Sequence, residues 1–189
     1  LRVFKDGSGV IQVNVTKQDG TSVANVSNTV NLTGNQTIAG IKTFTSQPVF
    51  PAQSMVRLNT ANGYGSTNTK IRRFTNIVTN QGSDITYADS STLGASFTIN
   101  TNGVYAITAL DYFSAVGFVG ISKDTTQPTT NIFTVSDNSC LSIGYAGSSG
   151  SCSWTGYLTS GSVIRPHTDG ISTSGSAGSI PQFTITRVS

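Results

Sequence analysis

Glutamate is absent from this 189-residue chain, and charged residues of all kinds make up only 10% of it. Ordinary globular domains carry roughly 25%. Glu and Lys usually fill exposed helix faces, whereas Ser, Thr, Asn and Gly compete with helical hydrogen bonding. The chain is rich in the second group, so it reads as strand and loop, and regularly placed aromatic and β-branched residues argue against disorder. No hydrophobic run approaches the roughly 20 residues that span a bilayer, and no charged-then-apolar leader opens the chain. It begins at Leu1 and its single Met is Met55. This reads as a piece of something longer, with any docking region upstream.

Bases are scarce too. The net charge of +3 and pI near 9.0 come from the shortage of acids, and Arg72-Arg73 is the only basic doublet. Nucleic-acid binding needs a clustered basic face, so no nucleic-acid partner is expected. Two cysteines, Cys140 and Cys152, stand twelve positions apart. A disulfide and a pair of buried thiols both remain open, because sequence does not fix the Cα separation. Two Cys and one distant His make no recognisable zinc pattern. No metal and no cofactor are expected.

What is present is period-two alternation. Strands are expected at Ile71–Val78, Ile85–Tyr87, Phe97–Ile99, Val104–Phe113, Gly117–Ile121, Asn131–Val135, Cys140–Tyr145, Cys152–Leu158, Ser162–Arg165 and Gln182–Val188. Asn102-Gly103 between two apolar runs is a hairpin signal. Many short strands with turns every 8–12 residues mean a sandwich or barrel. Upstream the pattern differs. Ile11, Val13 and Val15 share one side of a strand, but residues 1–46 show no sustained core pattern and read as extended segments of a fibre shaft. Pro48, Pro51 and the polar run Asn59 to Asn68 place a neck at 47–69, leaving 70–189 as the head.

In the shaft, Gly34-Asn35-Gln36-Thr37-Ile38-Ala39-Gly40-Ile41-Lys42-Thr43-Phe44 carries Ile38, Ile41 and Phe44 at every third position among helix-poor residues. Lone apolar residues of this kind need partners from sister chains. The string resembles a short repeat of tailed-bacteriophage tail fibres. In the head, Phe97-Thr98-Ile99, Asn102-Gly103-Val104-Tyr105, Lys123-Asp124, Gly156-Tyr157-Leu158 with Gly161-Ser162-Val163, and Phe183-Thr184-Ile185 resemble the complement-type, tumour-necrosis-factor-like globular head. Together the two resemblances imply an all-β, antiparallel jelly-roll sandwich on an extended N-terminal shaft, assembled as a homotrimer. They imply a tail fibre or receptor-binding protein of the virion, assembled in the host cytoplasm and joined to other tail proteins through an upstream region. The partner would be a bacterial surface glycan, lipopolysaccharide or outer-membrane protein. The alternatives are a decorating trimer of a capsid or spore surface and, third, a surface-polysaccharide depolymerase.

Catalysis finds little support. Glycoside hydrolysis needs two facing carboxylates, and no local Asp pair suggests them. A triad would have to use His167 without a Gly-x-Ser-x-Gly elbow. The chain therefore reads as a non-enzyme. If chain entry and exit share one end of the head, the loops Asn80–Leu93, Ser114–Val116, Ala146–Ser151 and Thr168–Ser179 fall at the opposite apex. The candidate receptor-binding residues are Tyr87, Asp84, Asp89, Asp169 and His167. Tyr supplies a stacking face and a hydroxyl, and Asp supplies acceptors for sugar hydroxyls. Against this, Asp commonly shapes turns and His167 commonly ends a strand. Tyr64 and Tyr145 are further exposed candidates, while Trp154 reads as core or subunit interface.

Overall fold

The alternation fixes which side chains face inward, and in the computed structural model it produces two stacked sheets. Residues 2–9, 11–16, 22–24, 53–171 and 179–189 are described, in two compact units, Leu1–Val49 and Phe50–Ser189. In the first unit, Arg2–Lys5 (β1), Ile11–Thr16 (β2) and Ser22–Ala24 (β3) form an antiparallel sheet in the order β1-β2-β3. The Asp6 carboxylate closes the first turn by accepting from the Ser8 backbone and hydroxyl. The segments 2–5, 11–16 and 22–24, expected as extended shaft segments, are strands that pair with one another antiparallel. Gly34 to Phe44 lies outside the described residues.

The described residues of the second unit form ten strands: β4 (Met55–Tyr64), β5 (Arg72–Gln81), β6 (Ile85–Ala88), β7 (Ser96–Ile99), β8 (Gly103–Tyr112), β9 (Gly117–Lys123), β10 (Cys140–Ala146), β11 (Ser149–Leu158), β12 (Val163–Thr168) and β13 (Gln182–Arg187). They pair antiparallel as two five-stranded sheets, β5-β4-β13-β8-β11 and β6-β7-β12-β9-β10. Only β4–β5, β6–β7 and β9–β10 are hairpins within one sheet. Every other connection changes sheets, which is jelly-roll connectivity. Leu58, Ile107, Phe183 and Ile185 from the first sheet meet Phe97, Ile99, Ile121 and Ile164 from the second in one buried cluster. Trp154 is half-buried against it. Cys140 and Cys152 are free thiols, and burial pushes Cys152 up to about 12.

Two expectations change. Residues 55–64, assigned to the neck, are the β4 strand, whose Val56 and Leu58 are fully buried. The apolar alternation stops after Leu58, and register shifts between Arg57 and Leu58 and between Ala61 and Tyr64 break the period in the polar half. Asn131–Val135, expected as a strand, holds a single 3-10 turn, Ile132–Thr134. β9, beneath it, is paired on both sides by β10 and β12, and the segment lies over the outer face of the second sheet. There Ile132 is fully buried against Gly120. A Cβ at Gly120 would collide with the Ile132 side chain, so the glycine creates the socket.

Candidate receptor-binding end

The registers give the second unit two distinct ends. Met55 is opposite both Thr186 and Gln81, so β4 enters where β13 leaves. At the other end Gln182 is opposite Leu110, Ser149 opposite Tyr112, and Gly117 opposite Ala146. The turns 65–71, 89–95, 113–116 and 147–148, and the connection starting at Asp169, therefore share this apical end. The turns 82–84, 100–102, 124–139 and 159–162 share the base.

The apical end is pinned by a buried charge pair. Arg72, 1% exposed, donates from Nε to Asp111 Oδ2 at 2.7 Å and brings Nη2 to 2.6 Å from the same oxygen. The Asp111 Oδ1 accepts from the Tyr112 backbone N–H at 2.8 Å. The guanidinium lies 4.3 Å from the Tyr64 ring centroid and 5.7 Å from that of Phe113. Aromatic faces thus cover a cation whose Nη1 has no hydrogen-bond partner among the described residues. Burial raises the Asp111 carboxyl above its usual range, with the Arg72 charge opposing. Tyr64, a candidate exposed residue, is instead largely buried. Its hydroxyl donates to the Ile171 carbonyl at 2.6 Å and accepts from Thr168 at 3.1 Å. Burial pushes its phenol up to about 12. The cluster was legible in principle: Arg72 alternates with buried Phe74, and Asp111 continues the inward series Tyr105, Ile107 and Ala109.

The five candidate residues do not converge. Asp89 is apical, but it is held by Arg73 through contacts of 3.1 and 2.7 Å. Tyr87 sits on β6 with its ring 5.3 Å from Phe97, and burial followed by the Asp89 charge pushes its phenol up to about 12. Asp169 is apical and secures the β12–β13 connection, its oxygens accepting from the Phe118 and Ile171 backbones at 2.8 and 3.2 Å.

Asp84 is a correction. The expected apical loop 80–93 spans the end of β5, a basal turn and all of β6, so Asp84 lies at the base. There it accepts from Ser54 at 2.8 Å and pairs with Arg187 at 3.4 Å. Hydrogen bonds from Thr101 and Ser54 hold its carboxyl below the usual range.

His167 is the second correction, since it is fully buried within β12. Its Nε2 lies 2.9 Å from the Thr130 carbonyl and its Nδ1 lies 3.0 Å from the Ser122 hydroxyl. A carbonyl only accepts, so Nε2 carries the proton and Ser122 donates to Nδ1. Neither nitrogen is left for a receptor or metal. Burial lowers its pKa, the Thr130 carbonyl opposes, and Arg165 and Lys70 lower it further. A His neutral in the fold binds fewer protons than the unfolded chain below pH 6.5, so stability falls as pH drops through that value. We expect the melting temperature of the parent to fall between pH 7 and pH 5. The fall should be smaller in His167→Gln, measured by circular dichroism at matched ionic strength. Equal slopes would remove His167 as the cause.

The feature that sequence reasoning missed is aromatic. Phe118, Phe133 and Tyr145 cluster on the outer face of the second sheet, at its apical half. Spacing gives Phe118 and Tyr145 to that face, but only the fold of 124–139 brings Phe133 beside them.

No protein-family model and no curated protein sequence matches the chain. Among solved structures, the crystal structure of murine APRIL at pH 8.0 is similar over 72% of this chain and 100% of that one, with 14% identity and a TM-score of 0.46. The murine APRIL structures at pH 8.5 and pH 5.0 have the same coverage, with 14% and 12% identity and TM-scores of 0.45 and 0.46.

Proposed function

We propose that this chain is the adhesive end of a tailed-bacteriophage fibre: a homotrimer whose jelly-roll head attaches the virion to a bacterial surface. The observation that carries the reading is the polarity of the second unit. Entry and exit share the base, so the apical loops are free to face outward from whatever carries the head. The fibre-like string Gly34 to Phe44 upstream supports it. Self-association fits the outer face of the first sheet. Its outward positions 104, 106, 108 and 110 on β8, with 151, 153, 155 and 157 on β11 and 182, 184 and 186 on β13, carry no charged residue. Interface cores are depleted in charged residues, and Arg57 on the neighbouring β4 is engaged with Gln182 at 2.9 Å at the border of these strands. Three weak sites per head then gain strength by avidity. The receptor is a surface glycan, lipopolysaccharide or outer-membrane protein. An adhesive role without catalysis also suits the carboxylates described above. Asp84, Asp89, Asp111 and Asp169 are each engaged in ion pairs or backbone caps.

Labelled protein incubated with candidate host cells tests this, with sedimentation run in parallel. Coating of cells by a trimer is expected, and loss of coating after periodate or after protease identifies a glycan or a protein receptor. A fragment beginning at Phe50 should coat as the parent does, whereas one beginning at Gly65 lacks β4 and should not fold. A folded monomer at micromolar concentration would overturn the assembly. A trimer that coats no candidate host favours the decorating role.

A further inference from the structure

Beside the apical end, three aromatic rings stand where a soluble domain has no packing reason to put them. Phe118 on β9 and Tyr145 on β10 are register partners, so both project from the outer face of the second sheet. Their centroids are 5.6 Å apart at an interplanar angle of 74°, and Phe133 meets Phe118 at 5.0 Å and 46°. Phe118 is half-buried at the centre. Phe133 is 52% exposed and Tyr145 65% exposed, with Ile143 exposed one pleat below Tyr145.

The rings are held in place in advance. Beside Phe133, Ile132 is plugged into the Gly120 socket. The backbone around them is tied by Thr134 N–H to Asn131 O at 2.9 Å, by Ser136 N–H to the Gln127 side chain at 3.1 Å, and by His167 to Thr130 O. The Phe133 ring therefore loses little freedom on contact with a ligand, which favours affinity. The Tyr145 hydroxyl makes no hydrogen bond among the described residues. The three segments that build the patch, 116–122, 129–136 and 140–148, contain no charged residue.

The geometry points to a binding subsite for neutral hexopyranose units of a surface glycan, stacked on the exposed Phe133 and Tyr145 rings that each meet Phe118, with one sugar hydroxyl on the Tyr145 phenol. The patch shows ring faces and a single polar handle, which is the complement of a pyranose: one face of C–H bonds with hydroxyls at its rim. The electron-rich ring faces attract the partly positive C–H hydrogens. A fixed charge adjoining the patch is the Asp169 carboxylate, which accepts from the Phe118 backbone N–H at 2.8 Å and would repel an anionic sugar. This subsite deepens the attachment reading and rests on it.

Saturation-transfer NMR on the full chain tests it, with maltotriose, cellotriose and mannotriose as probes and sialyllactose as the anionic control. Transfer to the ring C–H protons of at least one neutral trisaccharide is expected, and less to sialyllactose. Tyr145→Ala and Phe133→Ala should each weaken binding about three- to tenfold, the worth of one aromatic stacking contact. Tyr145→Phe should keep the stacking and lose only the hydroxyl contribution. Both residues replaced are exposed, so circular dichroism melts of the three variants should stay at the parent value. No transfer from any neutral probe, transfer that both alanine variants leave unchanged, or stronger binding of sialyllactose would overturn the subsite. So would a fall in sedimentation coefficient in Phe133→Ala, because the patch would then join copies of the chain. Cell coating is scored in parallel to separate the two ideas. Sugar binding without coating of any host sinks the attachment reading alone, and coating that survives loss of sugar binding sinks this subsite alone.

Discussion

Arg72→Ala is expected to destabilise the head by about 3–5 kcal/mol, because it leaves the Asp111 carboxylate buried and unpaired. For a unit of this size that corresponds to roughly 6–20 °C in melting temperature. The pair is deeply placed, with side-chain exposures of 1% and 3%, so solvent does little to screen it. Asp111→Ala should do comparable harm from the opposite side, stranding a guanidinium between Tyr64 and Phe113. The double variant Arg72→Met with Asp111→Leu is the informative comparison. Burying a charge pair is itself costly, and apolar residues of similar volume often serve as well. The double variant should therefore recover most of the loss, and the coupling can be read from the cycle by denaturant unfolding. If both single variants melt as the parent does, the pair is not what holds the apical ends of β4, β5, β8 and β12 together.

Phe97→Ala should cost about 3–5 kcal/mol as well, but by a different mechanism, a cavity where close packing was lost. Phe97 is fully buried between the sheets, 4.7 Å from the Phe183 ring in a stacked arrangement and 5.3 Å from Tyr87. It therefore joins β7 of the second sheet to β13 of the first. Phe97→Leu keeps much of the volume and should cost less. Tyr157→Ala, on an exposed outward position of β11, should stay within about 0.5 kcal/mol of the parent. Equal stability of Phe97→Ala and Tyr157→Ala would mean that the inward and outward faces of these strands have been exchanged.

The sequence by itself determined the strands whose alternation is unbroken. Phe97–Ile99, Val104–Phe113 and Gln182–Val188 each give the inward face directly, because side chains alternate across a strand whatever the strand pairs with, whereas in Cys140–Tyr145 the apolar series Ile143 and Tyr145 turned out to face outward. Having many such strands and no helical segment between them is enough to require an all-β sandwich. The apical placement of 114–116, 147–148 and Asp169 also followed once chain entry and exit were put at one end, as the head resemblance implied, since adjacent antiparallel strands reverse the chain at alternate ends. The limits of that logic appear where the period fails. A bulge and a polar half hid β4, and counting loops across 80–93 merged a basal turn with an apical one and carried Asp84 to the wrong end.

Only the tertiary structure decided which polar residues are engaged and which rings are free. Arg72 and Asp111 stand 39 positions apart, and His167 stands 45 from Ser122 and 37 from Thr130. Hydrogen bonding and desolvation depend on distances that arise when strands remote in sequence become neighbours in a sheet. The same holds for the outer aromatic cluster. Alternation assigns Phe118 and Tyr145 to a face, but the face is left bare or covered according to how 124–139 folds across it. That loop seals His167 at one point and presents Phe133 at the next, because Gly120 leaves room for Ile132 on the outer face of β9.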